Sequence, residues 1–292
     1  MNLVEHQLDI NGMKAVCFEQ AGQDPSVVFA HATGFHARCW DEVIENLANQ
    51  QCYAPDLRGH GRSEKTPPPY PWPVFAEDIL GLCESFDIKG AIGVGHSMGG
   101  FAVTLAAALN PKIFSALLLI DPVILPPEAY VETGSTNQHF VSRRRNEWSS
   151  VSEMFERFST RPPFNSWREE ALKLYCEYGL LPNSEGTGFV LACPPAIEAA
   201  VYDGAKAKDP YPLLGDVHIP VRILRSSFTS SKKPDEDDKT PNMSASPTVK
   251  SLAGSFQNAS DILLYERSHF IPMEDPVLVA EQVKDLITVV TS

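Results

Sequence analysis

The 292 residues of the chain include 24 basic and 37 acidic side chains, giving a formal net charge of −13, and 43% of the residues are hydrophobic. No apolar run approaches the ~18 residues of a membrane-spanning helix, so the composition indicates a soluble globular protein. The acidic balance makes nonspecific binding to nucleic acid or to an anionic membrane unfavourable. The length fits either two domains or one large core with an insertion.

The opening residues, Met1 to His6, have neither a basic start nor an apolar stretch of signal-peptide length, so we expect a cytoplasmic protein. The six cysteines are scattered singly, without a Cys-x-x-Cys pair. In a chain long enough to build a core, this spacing favours reduced thiols over disulfides or metal ligands. We expect no metal and no cofactor, because the sequence contains neither a His/Cys cluster nor a glycine-rich phosphate loop.

The first predicted element is a hairpin, since residues 3–10 and 13–19 flank Asn11-Gly12, a pair that favours a type I′ turn. Short apolar runs then alternate with amphipathic segments of helix length, which is typical of a parallel sheet buried on both faces. The runs cover residues 26–30, 91–94, 116–120, 221–224 and 262–265. Predicted helices cover residues 40–47, 75–86 and, at the end of the chain, 276–288.

An insertion is predicted where this rhythm stops, because residues 126–212 are rich in helix formers, aromatics and prolines. The core would then comprise residues 1–125 and 213–292, with the insertion as a helical layer over a sheet edge. Its aromatic side chains would form a small core of their own or line a pocket. Its Arg143-Arg144-Arg145 run is typical of a solvated helix face, with binding of a substrate carboxylate as the alternative.

The strongest chemical signal is Gly95-His96-Ser97-Met98-Gly99-Gly100, which lies between an apolar strand and a helix-forming run. In such a turn, the glycines remove side chains that would collide with adjacent backbone, and the serine hydroxyl is exposed at the helix N-terminus. Ser97 is therefore the candidate nucleophile. A serine hydroxyl needs a base within hydrogen-bond reach, and His269, just after the last predicted strand, is the candidate for that role.

A tetrahedral intermediate also requires two backbone N–H donors aimed at its oxyanion. Met98, the residue after the nucleophile, is one candidate. The loop His31-Ala32-Thr33-Gly34-Phe35 follows another predicted strand, and Thr33 is the second candidate, with Phe35 as the alternative. We expect His31 to hold this loop together by hydrogen bonding rather than to take part in the chemistry.

These motifs resemble the α/β-hydrolase superfamily over essentially the whole chain. Asp56-Leu57-Arg58-Gly59-His60-Gly61-Arg62-Ser63 is similar to a structural loop of its esterase, carbon–carbon-bond hydrolase and epoxide-hydrolase-like branches. The resemblance implies an α/β fold with a mostly parallel central sheet, helices on both faces and a helical cap inserted after the sixth strand. Residues 126–212 match that cap, whereas Ala32 departs from the family's usual His-Gly.

The resemblance also implies an acid that orients the base, usually just beyond the seventh strand. Residues 225–231 contain no carboxylate there. Some members place the acid after the sixth strand, where this chain has Asp121, and we predict Asp121 for this role. The alternative is that Asp121-Pro122 is a structural turn, and that Asp235 or a neighbour reaches back from a charged loop.

A serine rather than a carboxylate at position 97 favours acyl transfer to water over dehalogenase or epoxide-hydrolase chemistry. We predict a serine hydrolase that cleaves a small or medium ester, thioester or lactone through an acyl-serine intermediate. Two alternatives remain: hydrolysis of a carbon–carbon bond in a diketone or ring-fission product by the same triad, and a ligand receptor with slow or no turnover. The expected partner is a small ester-like molecule, and a homodimer is left open.

Overall fold

The computed structural model describes residues 3–131, 140–227 and 244–292. Its strands are β1 Val4–Ile10, β2 Met13–Gln20, β3 Gln23–Ala30, β4 Gln50–Asp56, β5 Ala91–His96, β6 Phe114–Ile120, β7 Glu147–Trp148, β8 Leu180–Pro182, β9 Phe189–Leu191, β10 Val221–Ser226 and β11 Ala259–Leu264. Its α-helices are α1 Asp41–Glu45, α2 Pro73–Ser85, α3 Met98–Leu109, α4 Val151–Ser159, α5 Glu169–Tyr178, α6 Pro195–Asp203, α7 Tyr211–Leu214, α8 Ile271–Glu274 and α9 Pro276–Thr291.

The centre is an eight-stranded sheet with the order β1-β2-β4-β3-β5-β6-β10-β11. The β1–β2 and β2–β4 pairs are antiparallel, and the other pairs are parallel. The central strands β5 and β6 are buried along almost their whole length, as parallel strands are when helices cover both faces of a sheet. The predicted α/β-hydrolase fold class is confirmed.

Two buried clusters lie on opposite faces of this sheet. Neighbouring residues of β3 show the division, because Val28 packs with α2 and α3 whereas Val27 packs with α1 and α9. Successive side chains of a strand point to opposite faces, so one apolar run contributes side chains to both clusters. The sheet therefore has a helical layer on each side, and the carboxyl ends of its parallel strands form a common edge.

Several local predictions agree with the structure and others differ in detail. Asn11 and Gly12 have φ of 48° and 76°, the two positive values that a type I′ hairpin turn requires. Strand β4 was not predicted, since Gln50, Gln51 and Pro55 interrupt its apolar pattern. The helix predicted over residues 40–47 is a 3₁₀ turn, Ala37–Trp40, followed by the short α1.

The segment between β6 and β10 contributes no strand to the central sheet among the described residues. It contains α4 to α7 and a separate three-stranded antiparallel sheet with the order β7-β9-β8, which sequence reasoning did not anticipate. Those strands are only two or three residues long, too short for an alternating pattern to be recognised. No helix in the described ranges is long and apolar enough to cross a bilayer.

Candidate active site

Ser97 lies in the turn between β5 and α3, where its backbone has φ 56° and ψ −117°. This region is unfavourable for a residue with a side chain and persists only where surrounding contacts impose it. Here the Ser97 N–H donates to the Ile120 carbonyl at 3.0 Å, and the Val123 N–H donates to the Ser97 carbonyl at 3.1 Å. The turn is thus tied to the end of β6, the neighbouring strand.

The glycines of the motif are needed for close backbone approach. A Cβ at Gly99 would lie 2.0 Å from the Ala30 carbonyl oxygen, and one at Gly95 would lie 2.4 Å from the Gly99 carbonyl oxygen. Neither position has room for a side chain. The result places Ser97 at the N-terminus of the 12-residue α3, where free N–H groups and the helix dipole favour negative charge.

The structure brings the predicted base and the predicted acid into direct contact. His269 Nδ1 and Asp121 Oδ2 are 2.7 Å apart, and the Asp121 side chain is fully buried. A carboxylate only accepts hydrogen bonds, so His269 carries its proton on Nδ1 and leaves Nε2 as an acceptor. That is the tautomer a general base needs, because Nε2 then accepts the hydroxyl proton of a nucleophile.

Three donors that sequence reasoning missed hold the other Asp121 oxygen. Oδ1 accepts hydrogen bonds from the Ser226 N–H at 3.1 Å, the Ser246 hydroxyl at 2.5 Å and the Thr248 hydroxyl at 3.1 Å. Asp121 itself has φ 42°, in the left-handed region. The carboxylate is therefore oriented from both sides, although no local sequence pattern marks Ser246 or Thr248 as partners of a residue so distant in the chain.

The backbone of His269 is held as firmly as its ring. Its N–H donates to the Ser244 carbonyl at 2.9 Å, and its carbonyl accepts from His96 Nε2 at 2.9 Å. His96 directly precedes Ser97, so this bond joins the turn at Ser97 to the loop that carries His269. Among the described residues, no hydrogen bond joins the Ser97 hydroxyl to the His269 ring; such bonds often form only when substrate is bound.

A second carboxylate supports the loop around the base. Glu274 accepts from the Ser268 N–H at 2.8 Å, from the Ser268 hydroxyl at 2.5 Å and from the Ser166 hydroxyl at 2.8 Å. The Arg168 N–H also donates to the Met273 carbonyl at 3.0 Å. Ser166 and Arg168 belong to the segment between β6 and β10, called the inserted segment below, so this segment is docked onto the loop that carries the candidate base.

The two predicted oxyanion donors lie side by side. The Thr33 hydroxyl donates to the Met98 sulfur at 3.4 Å, and both residues are buried. The Phe35 N–H is engaged with the Ala32 carbonyl at 3.1 Å, which makes Phe35 the poorer candidate. Thr33 and Met98 thus remain our candidates for the oxyanion hole.

Hydrogen bonds from His31 confirm its predicted role in holding the loop. Its Nδ1 lies 2.8 Å from the Ala32 carbonyl oxygen, and its Nε2 accepts from the Leu57 N–H at 2.9 Å. Burial lowers the pKa of His31 well below the usual value, so the ring stays neutral. Asp56 also has a structural role, because it accepts from the N–H groups of Ala37 and Arg62 at 2.8 and 2.7 Å.

Aromatic side chains of the inserted segment pack on Phe35, at the end of the loop of residues 31–35. The Phe35 ring lies 5.7 Å from that of Trp167, 5.2 Å from Tyr175 and 6.0 Å from Phe270, the residue after the base. Ser97 and His269 are 7% and 8% exposed, so little of the candidate site is open to solvent. Asp235, the alternative acid, lies outside the described residues.

Comparisons with known proteins agree with this fold. The chain is 24% identical over 218 residues to abhydrolase domain-containing protein AKT2 of Alternaria alternata, covering 67% of this chain and 82% of that protein. The solved E-2-(acetamidomethylene)succinate hydrolase has a TM-score of 0.77 at 21% identity, covering 98% of this chain and 100% of that one. The enol-lactonase of Burkholderia xenovorans LB400 has a TM-score of 0.72 at 18% identity, covering 97% and 100%.

At these identities the two solved structures support the fold alone. The profile of the alpha/beta hydrolase family matches residues 27–282, which include all of the candidate site. The chain therefore belongs to the alpha/beta hydrolase family.

Proposed function

We propose that the protein is a serine hydrolase that cleaves a small or medium carboxylic ester, thioester or lactone. The observation that carries the proposal is the 2.7 Å contact between His269 and the buried Asp121, beside a serine in a strained turn. A strained backbone and a buried carboxylate both reduce the stability of the folded protein. Their presence at one place therefore favours a functional role for these residues. Ser97 is the nucleophile, His269 the general base and Asp121 the residue that orients and stabilises the base.

In the proposed reaction, His269 Nε2 takes the Ser97 hydroxyl proton as Oγ attacks the substrate carbonyl carbon. The N–H groups of Met98 and Thr33 stabilise the oxyanion. Collapse of the tetrahedral intermediate breaks the bond to the leaving group, which receives the proton from His269. A water molecule, deprotonated by the same ring, then attacks the acyl-serine. The bond between the acyl carbon and Ser97 Oγ breaks, Oγ takes the proton back from His269, and the carboxylic acid is released.

Residues 126–212 are the proposed cap that selects the substrate. Aromatic side chains of this segment pack on Phe35, at the end of the loop that carries Thr33, and on Phe270, the residue after the proposed base. Their apolar surfaces favour a neutral or apolar acyl or leaving group near the reacting atoms.

The expected location of the protein is the cytoplasm.

A fluorophosphonate probe tests the nucleophile, because it forms a covalent bond only with an activated serine. We expect the wild-type protein to be labelled and to hydrolyse p-nitrophenyl esters. Ser97→Ala should abolish both, whereas Ser115→Ala, on β6 of the same sheet, should change neither. Absence of labelling in a folded wild-type protein contradicts the proposal and favours a ligand receptor. Faster turnover of a vinylogous diketone than of any ester in a chain-length series favours the carbon–carbon-bond hydrolase.

A further inference from the structure

An ion pair of the inserted segment lies against the loop of residues 31–35, which carries the proposed oxyanion donor Thr33. Arg144 Nη1 donates to Glu198 Oε2 at 2.6 Å, and Arg144 Nη2 donates to the Tyr175 hydroxyl at 3.2 Å. The Glu198 side chain is 4% exposed. Because Glu198 lies on α6 and Tyr175 on α5, the guanidinium joins separate elements of this segment.

Only the middle residue of the arginine run behaves in this way. Arg143 and Arg145 are exposed, as expected for a solvated face, and Arg145 pairs with Glu153 at 2.5 Å. Arg144 instead departs from that expectation. Its charge is already matched by Glu198, so a substrate carboxylate would meet a neutral pair rather than a free cation.

The Glu198 carboxylate is in close contact with Gly34. A Cβ at Gly34 would lie 2.6 Å from Glu198 Oε1, and Gly34 has φ +80°. Cys193, a second residue of the inserted segment, lines the same small cavity as Gly34. Gly34 directly follows Thr33, the proposed oxyanion donor. A carboxylate therefore lies against the residue that follows the proposed oxyanion donor.

An unneutralised carboxylate at this place would oppose catalysis, because like charges repel and the buried setting screens them weakly. For two like charges roughly 8 Å apart, an effective dielectric constant of about 20 gives a repulsion that corresponds to roughly thirtyfold in rate. Glu198 nevertheless supports the loop sterically. A cation paired with it permits that support without the electrostatic penalty.

We propose that Arg144 is a positioning residue of the oxyanion hole: it holds Glu198 against Gly34 and neutralises its charge. The inference rests on the proposed serine-hydrolase function, since it concerns the oxyanion of that reaction. Through Arg144 and Glu198, the insertion would act on the oxyanion hole as well as on substrate selection. The ion pair links the position of the inserted segment to the electrostatics of the reacting centre.

The pH dependence of an Arg144 variant distinguishes charge from packing. The titratable groups around Glu198 are Arg144, Tyr175, Tyr202 and Cys193. Burial raises the pKa of Tyr175 to about 12 and also raises the pKa values of Tyr202 and Cys193, so these groups stay neutral near pH 7. Burial raises the pKa of Glu198 and Arg144 opposes that effect. Without Arg144, Glu198 is protonated at low pH and becomes charged as the pH rises.

The experiment measures kcat/KM for a p-nitrophenyl ester from pH 6 to 9, and the Kd of phenylboronic acid, which forms an anionic tetrahedral adduct with an active-site serine. Relative to wild type, Arg144→Met should show a kcat/KM about thirtyfold lower and a Kd about thirtyfold higher at pH 9. Both changes should be clearly smaller at pH 6. The double variant Arg144→Met/Glu198→Gln should recover to within about threefold at pH 9. Arg144→Lys should retain most activity, and the exposed control Arg143→Met should match wild type.

Equal losses in Arg144→Met and the double variant at every pH would show that the pair acts only through packing and would overturn the inference. Full activity of Arg144→Met at pH 9 would do the same. If Arg144→Met does not fold, Glu198→Gln decides: it should bind phenylboronic acid at least as tightly as wild type, and a more than tenfold weaker Kd refutes the proposal. A wild-type protein that neither reacts with a fluorophosphonate nor cleaves esters refutes the proposed function instead.

Discussion

Replacing Asp121 with Asn tests the assignment of the acid with almost no change in volume. The Ser226 N–H is a fixed backbone donor that faces Asp121 Oδ1 at 3.1 Å. The asparagine must therefore turn its carbonyl oxygen toward Ser226, since its NH₂ group would otherwise meet another donor. The NH₂ group then faces His269 Nδ1, where the wild-type carboxylate accepts a hydrogen bond at 2.7 Å.

This orientation forces the wrong tautomer on the base. His269 has to accept at Nδ1 and carry its proton on Nε2, so it cannot take the Ser97 proton. We expect kcat to fall by roughly 10³ to 10⁴, which corresponds to about 4 to 5.5 kcal/mol of transition-state stabilisation. KM should change little, because Asp121 lies behind His269 and is fully buried.

Initial rates with a p-nitrophenyl ester measure the loss, and the rate of fluorophosphonate labelling should fall in parallel. Thermal unfolding checks that the variant is folded. Asp235→Asn is the matched control and should keep wild-type kcat. The reasoning is refuted if folded Asp121→Asn turns over at close to the normal rate, or if Asp235→Asn loses activity instead.

Two further predictions concern pH and the loop around the base. Burial lowers the pKa of His36 to about 3 and that of His60 to about 4, so both stay neutral in the folded protein while the unfolded chain gains protons below pH 6.5. Stability should therefore fall as the pH falls, by about 1.6 kcal/mol per histidine between pH 6.5 and 5. Urea unfolding measures the free energy of unfolding at both pH values, and its change between them should be smaller for His36→Gln than for wild type. An equal change in the two proteins would contradict this account. Glu274→Gln should lower kcat about tenfold with KM within threefold, because a charged acceptor of both Ser268 hydrogen bonds is lost. Steady-state kinetics measure both parameters. Ser166→Ala removes only the contact between Glu274 and the insertion, so it should have the milder effect. An unaffected kcat in Glu274→Gln would rule out the positioning role.

Local features of the sequence were sufficient to predict much of the fold. The Asn11-Gly12 hairpin, the buried strands β5 and β6 and the turn at Ser97 each depend on residues a few positions apart. Turn conformation and burial periodicity act over such distances, so they can be recognised in a single chain. Strand β4 and the small sheet of the insertion were missed, because short or interrupted strands carry too weak a pattern.

Only the tertiary structure decided how the candidate site is assembled. Asp121 and His269 are 148 positions apart, and the Ser246 and Thr248 donors to Asp121 are separated from it by more than 120 positions. A serine, threonine or arginine bonds whichever acceptor the fold brings near it, and nothing in its neighbouring sequence specifies that acceptor. The same holds for Arg144, which the sequence presents as one of three equivalent arginines. Its pairing with Glu198 beside Gly34 arises because the segment between β6 and β10 folds back over the loop of residues 31–35.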